Sequence, residues 1–150
     1  MTTKLARFRA LSWTEKQVLV VAALLLPLLW IGLRVLGLSR LCAWLDRSCI
    51  AARASYAGAD PAVLGTLVNI AGNHAPFPST CLTRSLLLNW LLHRRGVNSD
   101  LRIGVRLIEG RLEAHAWVEY QGKPINDTQD VSERFAAFDG PLSPKSFLSP

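Results

Sequence analysis

The pattern of apolar and polar positions divides the chain into a helical first part and a second part in which one helix is followed by strands. Between Lys16 and Arg34, residues 17–33 carry no charge, and apolar positions run nearly all round a helix rather than along one stripe. Ser12 followed by Glu15 makes a capping box for its start. A spanning helix takes roughly twenty apolar residues, so this stretch is borderline, and Pro27 interrupts it near its middle. Three readings stay open: a helix buried in the domain or against a partner protein, a membrane-inserted or surface-anchored helix, or a signal segment. Export is disfavoured because no small-x-small cleavage site follows, and basic residues on both flanks give no orientation. Over residues 38–57, Leu38, Leu41, Cys42, Leu45, Cys49 and Ala52 fall at helical spacing with Arg40, Arg47 and Arg53 off that face, an amphipathic helix.

Asp60-Pro61 supplies an N-cap and a first-turn proline for a shorter helix ending near Gly72. NHAPFPST is loop by its two prolines, and Thr80 can cap a helix running from Cys81 to Gly96, with His93, Arg94 and Arg95 in its last turn. Then the period changes. Leu101, Ile103, Val105 and Leu107 alternate with Arg102, Gly104 and Arg106 in one strand. After a Glu109-Gly110-Arg111 turn, Leu112, Ala114, Ala116 and Val118 alternate with Glu113, His115, Trp117 and Glu119 in the next. A third short strand through Ile125 and Asp127 follows Gln121-Gly122. The last twenty residues lack periodicity and read as irregular, with Phe135 and Phe138 packing on the body. The fold class is α+β, helices followed by a small antiparallel meander.

Composition adds bounds. With 150 residues, half of them apolar, the chain suits one compact domain and excludes disorder, fibres and repeats. The net charge of +6 belongs wholly to residues 1–58, which hold 8 basic and 2 acidic side chains, whereas residues 59–150 hold 9 of each. That excess is scattered among apolar helices rather than set with aromatics along a groove, so nucleic acid is not the expected partner. Three cysteines are too few and too odd in number for a disulfide framework, which points to a reducing, cytoplasmic setting. Cys42 and Cys49 read as buried packing residues. No C-x-x-C pair or spaced histidine pair suggests a metal.

Cys81 is different, because the start of a helix presents unpaired N–H groups and the positive end of the macrodipole, which favour a thiolate. A hydrophobic cysteine can also begin a buried helix, and taken alone that is the better reading. His115 changes the balance: it stands in the polar-facing register of a strand, between two alanines that leave its ring room. A strict two-residue turn at Gln121-Gly122 would point Asp127 away from His115, whereas a three- or five-residue connection or a bulge puts Asp127 opposite Trp117, diagonal to His115. The longer connection is therefore expected, with Asp130 as the spare carboxylate. Cys81, His115 and Asp127 then supply a thiolate nucleophile, an imidazole proton shuttle and an orienting carboxylate, the parts of a cysteine acyl-transfer site.

Cys81-Leu82-Thr83-Arg84-Ser85-Leu86, Ile103-Gly104-Val105, Ala114-His115-Ala116-Trp117-Val118-Glu119 and Asn126-Asp127 stand in one order. In these motifs the chain resembles the transglutaminase-like leader peptidases of lasso peptide biosynthesis, the B2 proteins, strongly over residues 74–128 and loosely over the N-terminal helices. The resemblance implies a transglutaminase/papain-like core over residues 59–150 with the nucleophilic cysteine at a helix N-terminus packed on a small antiparallel sheet, preceded by a basic, hydrophobic helical region over residues 1–58. It makes Cys81 the nucleophile, His115 the base and acid, and Asp127 the orienting group, with Trp117 walling the substrate site and no cofactor or metal. It implies hydrolysis of one peptide bond in a ribosomally made precursor peptide, so that an ATP-dependent macrolactam synthetase can close the core. Residues 1–58 lack the strands of a PqqD-like leader-recognition domain, so a separate recognition (B1) protein is expected. The basic, greasy first third could dock that partner, the synthetase, the precursor or a membrane surface. Arg84 and Ser85 fit the motif but serve equally as a helix-surface arginine and a packed small residue.

Two other classes compete. A transglutaminase-like acyltransferase or amidase uses the same three groups and differs in whether water or an amine attacks the thioester. A non-enzymatic membrane-associated scaffold would make Cys81 core and His115 a satisfied polar residue, at odds with three matching roles in order.

Overall fold

A computed structural model describes residues 11–50 and 60–138. The elements run α1 (Trp13–Leu36), α2 (Leu38–Ile50), α3 (Pro61–His74), α4 (Cys81–Arg94), β1 (Asp100–Ile108), β2 (Arg111–Tyr120), β3 (Lys123–Pro124), α5 (Val131–Arg134) and β4 (Ala136–Ala137). The sheet is antiparallel, in the order β3-β2-β1-β4. The basic lead-in before Leu11, the extension of α2 toward residue 57, the side chain of Cys49 and the tail from residue 139 lie outside the described residues.

Local chemistry sets the helix ends. Ser12 and Glu15 form the reciprocal box that opens α1, and Asp60 Oδ1 accepts from the Ala62 N–H at 2.9 Å above Pro61. α3 runs on to His74, two residues past the expected end, so His74 closes a helix instead of sitting in the loop. α1 passes through Pro27 unbroken. The lost N–H bond there is outweighed by burial of Leu26 and Leu29 on either side. Nor is α1 buried all round: Val18, Ala22, Leu26 and Leu29 form one stripe that enters the core with Leu41, Leu64, Val68, Leu87 and Leu92. Of the readings left open for this segment, one side of the helix is core and the other faces outward.

Two corrections concern the sheet. Tyr120 pairs with Lys123 and Glu119 with Pro124, with Gln121 and Gly122 at φ 52° and 74°, so the connection is the strict two-residue turn and not the longer one expected. The third strand also stops at Pro124 rather than reaching Asp127. The second correction is the sheet's outer face. Trp117, in the polar register of β2, is wholly buried with Val131 and Phe135 in a second small core. Gly104 of β1, which pairs with His115 and lies diagonal to Trp117, makes room for it: a Cβ there would meet Trp117, Phe135 and the Ala136 carbonyl at 3.0 Å each. The chain after Asp127 is thus not irregular: it forms α5 and β4, with Phe135 buried and Phe138 exposed. The helices thus cover one face of the sheet, α5 and Phe135 close over Trp117 on the other, and β4 joins the sheet's edge beside β1.

Two glycines on α3 bring its backbone hard against its neighbours. A Cβ on Gly65 would lie 2.2 Å from the Ile125 carbonyl oxygen, and one on Gly72 would lie 2.4 Å from Arg84 Nε.

Candidate active site

Cys81 is the first residue of α4. Thr80 precedes it as N-cap: its Oγ1 accepts from the Thr83 N–H at 3.2 Å, and the Thr80 N–H donates to Thr83 Oγ1 at 3.0 Å. This reciprocal box uses threonine where glutamate or glutamine is usual. Arg84 is not a solvated surface group. It turns back to donate to Ser79 Oγ at 2.9 Å and Asn73 Oδ1 at 2.8 Å, tying the end of α3 and the loop before Cys81 to α4.

His115 Nε2 lies 2.5 Å from Asp127 Oδ2. The contact forms despite the two-residue turn because the ladder ends before Asp127. The Ile125 N–H still donates to the Val118 carbonyl, but the next partner is a side chain: the Val118 N–H donates to Asn126 Oδ1 at 2.8 Å. Freed from strand alternation, the chain bends and Asp127 swings back to His115. Burial pulls the Asp127 carboxyl upward, yet hydrogen bonds from His115 and the Thr128 N–H outweigh it and hold the group below its ordinary value. Arg134 adds a cation 3.7 Å from Asp127 Oδ1. Asp130, the spare candidate, pairs with Arg134 at 3.1 Å. Phe135 stacks on the imidazole, ring centroids 4.9 Å apart.

Cys81, His115 and Asp127 line one cavity of about 580 Å³ together with Thr66, Asn69 and Asn73. Trp117 is not in its wall. Fully buried, it stacks on the His115 imidazole from the same face of β2, ring centroids 6.4 Å apart, and donates its indole N–H to Glu119 at 2.9 Å. The α3 residues are not among the candidates named from the sequence. Their signal was present, since Thr66, Asn69 and Asn73 recur at helical spacing as a polar stripe in an otherwise apolar helix.

Ser85, one turn along from Cys81 and fully buried, joins the three site-bearing elements. Its hydroxyl donates to the Ala116 carbonyl at 3.0 Å, beside His115, and accepts from Asn126 Nδ2 at 2.9 Å, beside Asp127. Asn69 Nδ2 closes the set by donating to the Asn126 carbonyl at 2.8 Å. Among the described residues, no group of three or more His, Cys, Asp or Glu side chains is placed to hold a metal ion.

Residues 22–138 match the family model of the transglutaminase-like superfamily. The chain is also similar to the microcin J25-processing protein McjB of Escherichia coli, 37% identical over 60 residues that make up 40% of this chain and 28% of that protein. It therefore matches less than a third of that relative's length. No solved structure matches significantly.

Proposed function

The chain belongs to the transglutaminase-like superfamily, and from that membership we propose that it is a cysteine peptidase that removes the leader from a ribosomally made lasso peptide precursor. The observation that carries the reading is the His115–Asp127 contact in the wall of a cavity that also holds Cys81 at a helix N-terminus. Similarity to a microcin J25-processing protein supports the substrate class.

With Nε2–H held by Asp127, His115 Nδ1 keeps the lone pair that accepts the thiol proton of Cys81. The sulfur attacks the scissile carbonyl, and the Cys81 backbone N–H, without an intrahelical acceptor at that position, faces the developing oxyanion. Collapse breaks the C–N bond, the imidazolium gives its proton to the departing amine, and an acyl thioester remains. Water, deprotonated by the same imidazole, then attacks the thioester and releases the carboxylic acid and free Cys81. Asp127, ionised throughout, fixes the ring's tautomer and stabilises the imidazolium. The asparagines of α3 offer donors and acceptors to an extended peptide. A separate leader-recognition protein and an ATP-dependent macrolactam synthetase complete the reading, which takes place in the cytoplasm where the precursor is made.

The test is to incubate precursor and recognition protein with the chain and weigh the products. Leader release with gain of one water is expected, and Cys81→Ala should lower its rate by at least about 10³-fold. An ammonia-loss crosslink would instead establish acyl transfer to an amine, and unchanged cleavage by Cys81→Ala would remove Cys81 as nucleophile.

A further inference from the structure

Away from the cavity, α1 and α2 present a face that the core does not use. Opposite its buried stripe, α1 exposes Val20, Leu24, Leu28, Ile31 and Val35, each at least half open to solvent and three or four residues from the next. On α2, Trp44 is 60% exposed. It sits between the exposed Arg40 and Arg47, one turn away on either side. The two faces are continuous, because Trp44 lines an apolar groove with Leu28 and Leu36 of α1. No acidic side chain occurs between Glu15, which is taken up in the cap of α1, and the half-buried Asp46. The cations around the face are Arg34, Arg40 and Arg47, all exposed.

We propose that this face docks on an anionic phospholipid membrane, with α1 lying along the surface. Its aliphatic centre, exposed tryptophan and exclusively basic rim are complementary to acyl chains below and negative headgroups above. α1 is long and apolar enough to cross a bilayer. Its Val18, Ala22, Leu26 and Leu29 are nevertheless committed to the core shared with α3 and α4, so crossing would pull that core apart. A surface-bound geometry keeps both faces satisfied. The inference does not depend on the reaction at Cys81.

Co-sedimentation of the full chain with phosphatidylcholine vesicles, with and without phosphatidylglycerol, tests it. The chain should pellet with the anionic vesicles and shift the Trp44 emission to shorter wavelength, a shift reduced in Trp44→Phe. Arg40→Gln/Arg47→Gln should weaken anionic-vesicle binding by about tenfold or more, and Leu24→Glu/Leu28→Glu should abolish it. Both pairs are exposed, so unchanged circular dichroism should accompany the loss. The proposal is overturned if the chain stays in the supernatant, if it binds neutral and anionic vesicles equally, or if the variants pellet like wild type. It is equally overturned if Leu24→Glu/Leu28→Glu dissolves a dimer of this chain that ignores vesicles.

Discussion

The layer built by α1 and α2 and the seam where α3, α4 and β2 meet are held together in opposite ways. The first relies mainly on aliphatic packing, Leu26 and Leu29 with Leu41, Leu64 and Leu87, which is indifferent to direction and tolerates small shifts, with a directed bond from Trp90 Nε1–H to Ser48 Oγ at 2.7 Å. The seam relies on directed bonds from Ser85, Asn126, Asn69 and Arg84, several of them between groups adjacent to the site residues. Packing alone brings helices to within a side chain's width; the polar seam fixes which atoms face each other. Damage to the first region should therefore appear as lost stability, and damage to the second as lost turnover.

The largest expected effect that tests this contrast comes from Asp127→Asn, which keeps the shape and removes the charge. Turnover should fall on the order of 10³-fold or more, measured as initial rate of leader release. The native pKa of Asp127 lies below the ordinary 3.8. Its stabilising contribution is thus complete at neutral pH and lost as pH falls through the native value. The variant should melt below wild type at pH 7, and the gap should close below about pH 4. Next, Leu26→Ala should cost about 2–5 kcal/mol in denaturant unfolding while the molecules that remain folded keep wild-type kcat. A large fall in kcat at unchanged folded fraction would break the comparison. The smallest effect is Ser85→Ala, which strands the Ala116 carbonyl and the Asn126 amide. It should cost about 1–3 kcal/mol and lower kcat about tenfold with KM little changed; a stability loss with intact kcat would make Ser85 purely structural.

The helix starts were legible in the sequence because caps act within a few residues: Ser12 with Glu15, Asp60 with Pro61 and Thr80 each announce what they do. The order of Cys81, His115 and Asp127 was legible too. Their juxtaposition could not be reached by counting strand parity, since the Gln121-Gly122 turn is the tight one and a side chain, Asn126, ends the ladder before Asp127. Alternation likewise misassigned Trp117, whose burial depends on Phe135 and Val131 returning from later in the chain. β4 is two residues long and pairs with β1 across more than thirty residues, a contact that local periodicity does not encode.

Gly65 and Gly72 let α3 set distances around the site at positions where it carries no side chain. One missing methyl sets how near the aspartate's segment can come, and the other does the same for the arginine that holds the approach to the cysteine. α3 thus works as a gauge: at Gly65 a methyl group would run into backbone, and at Gly72 into the side chains of Arg84 and Ser79. An alanine at Gly65 would displace the carbonyl one residue before Asn126, so a change on a helix with no reacting group would be felt first as an imidazole out of line.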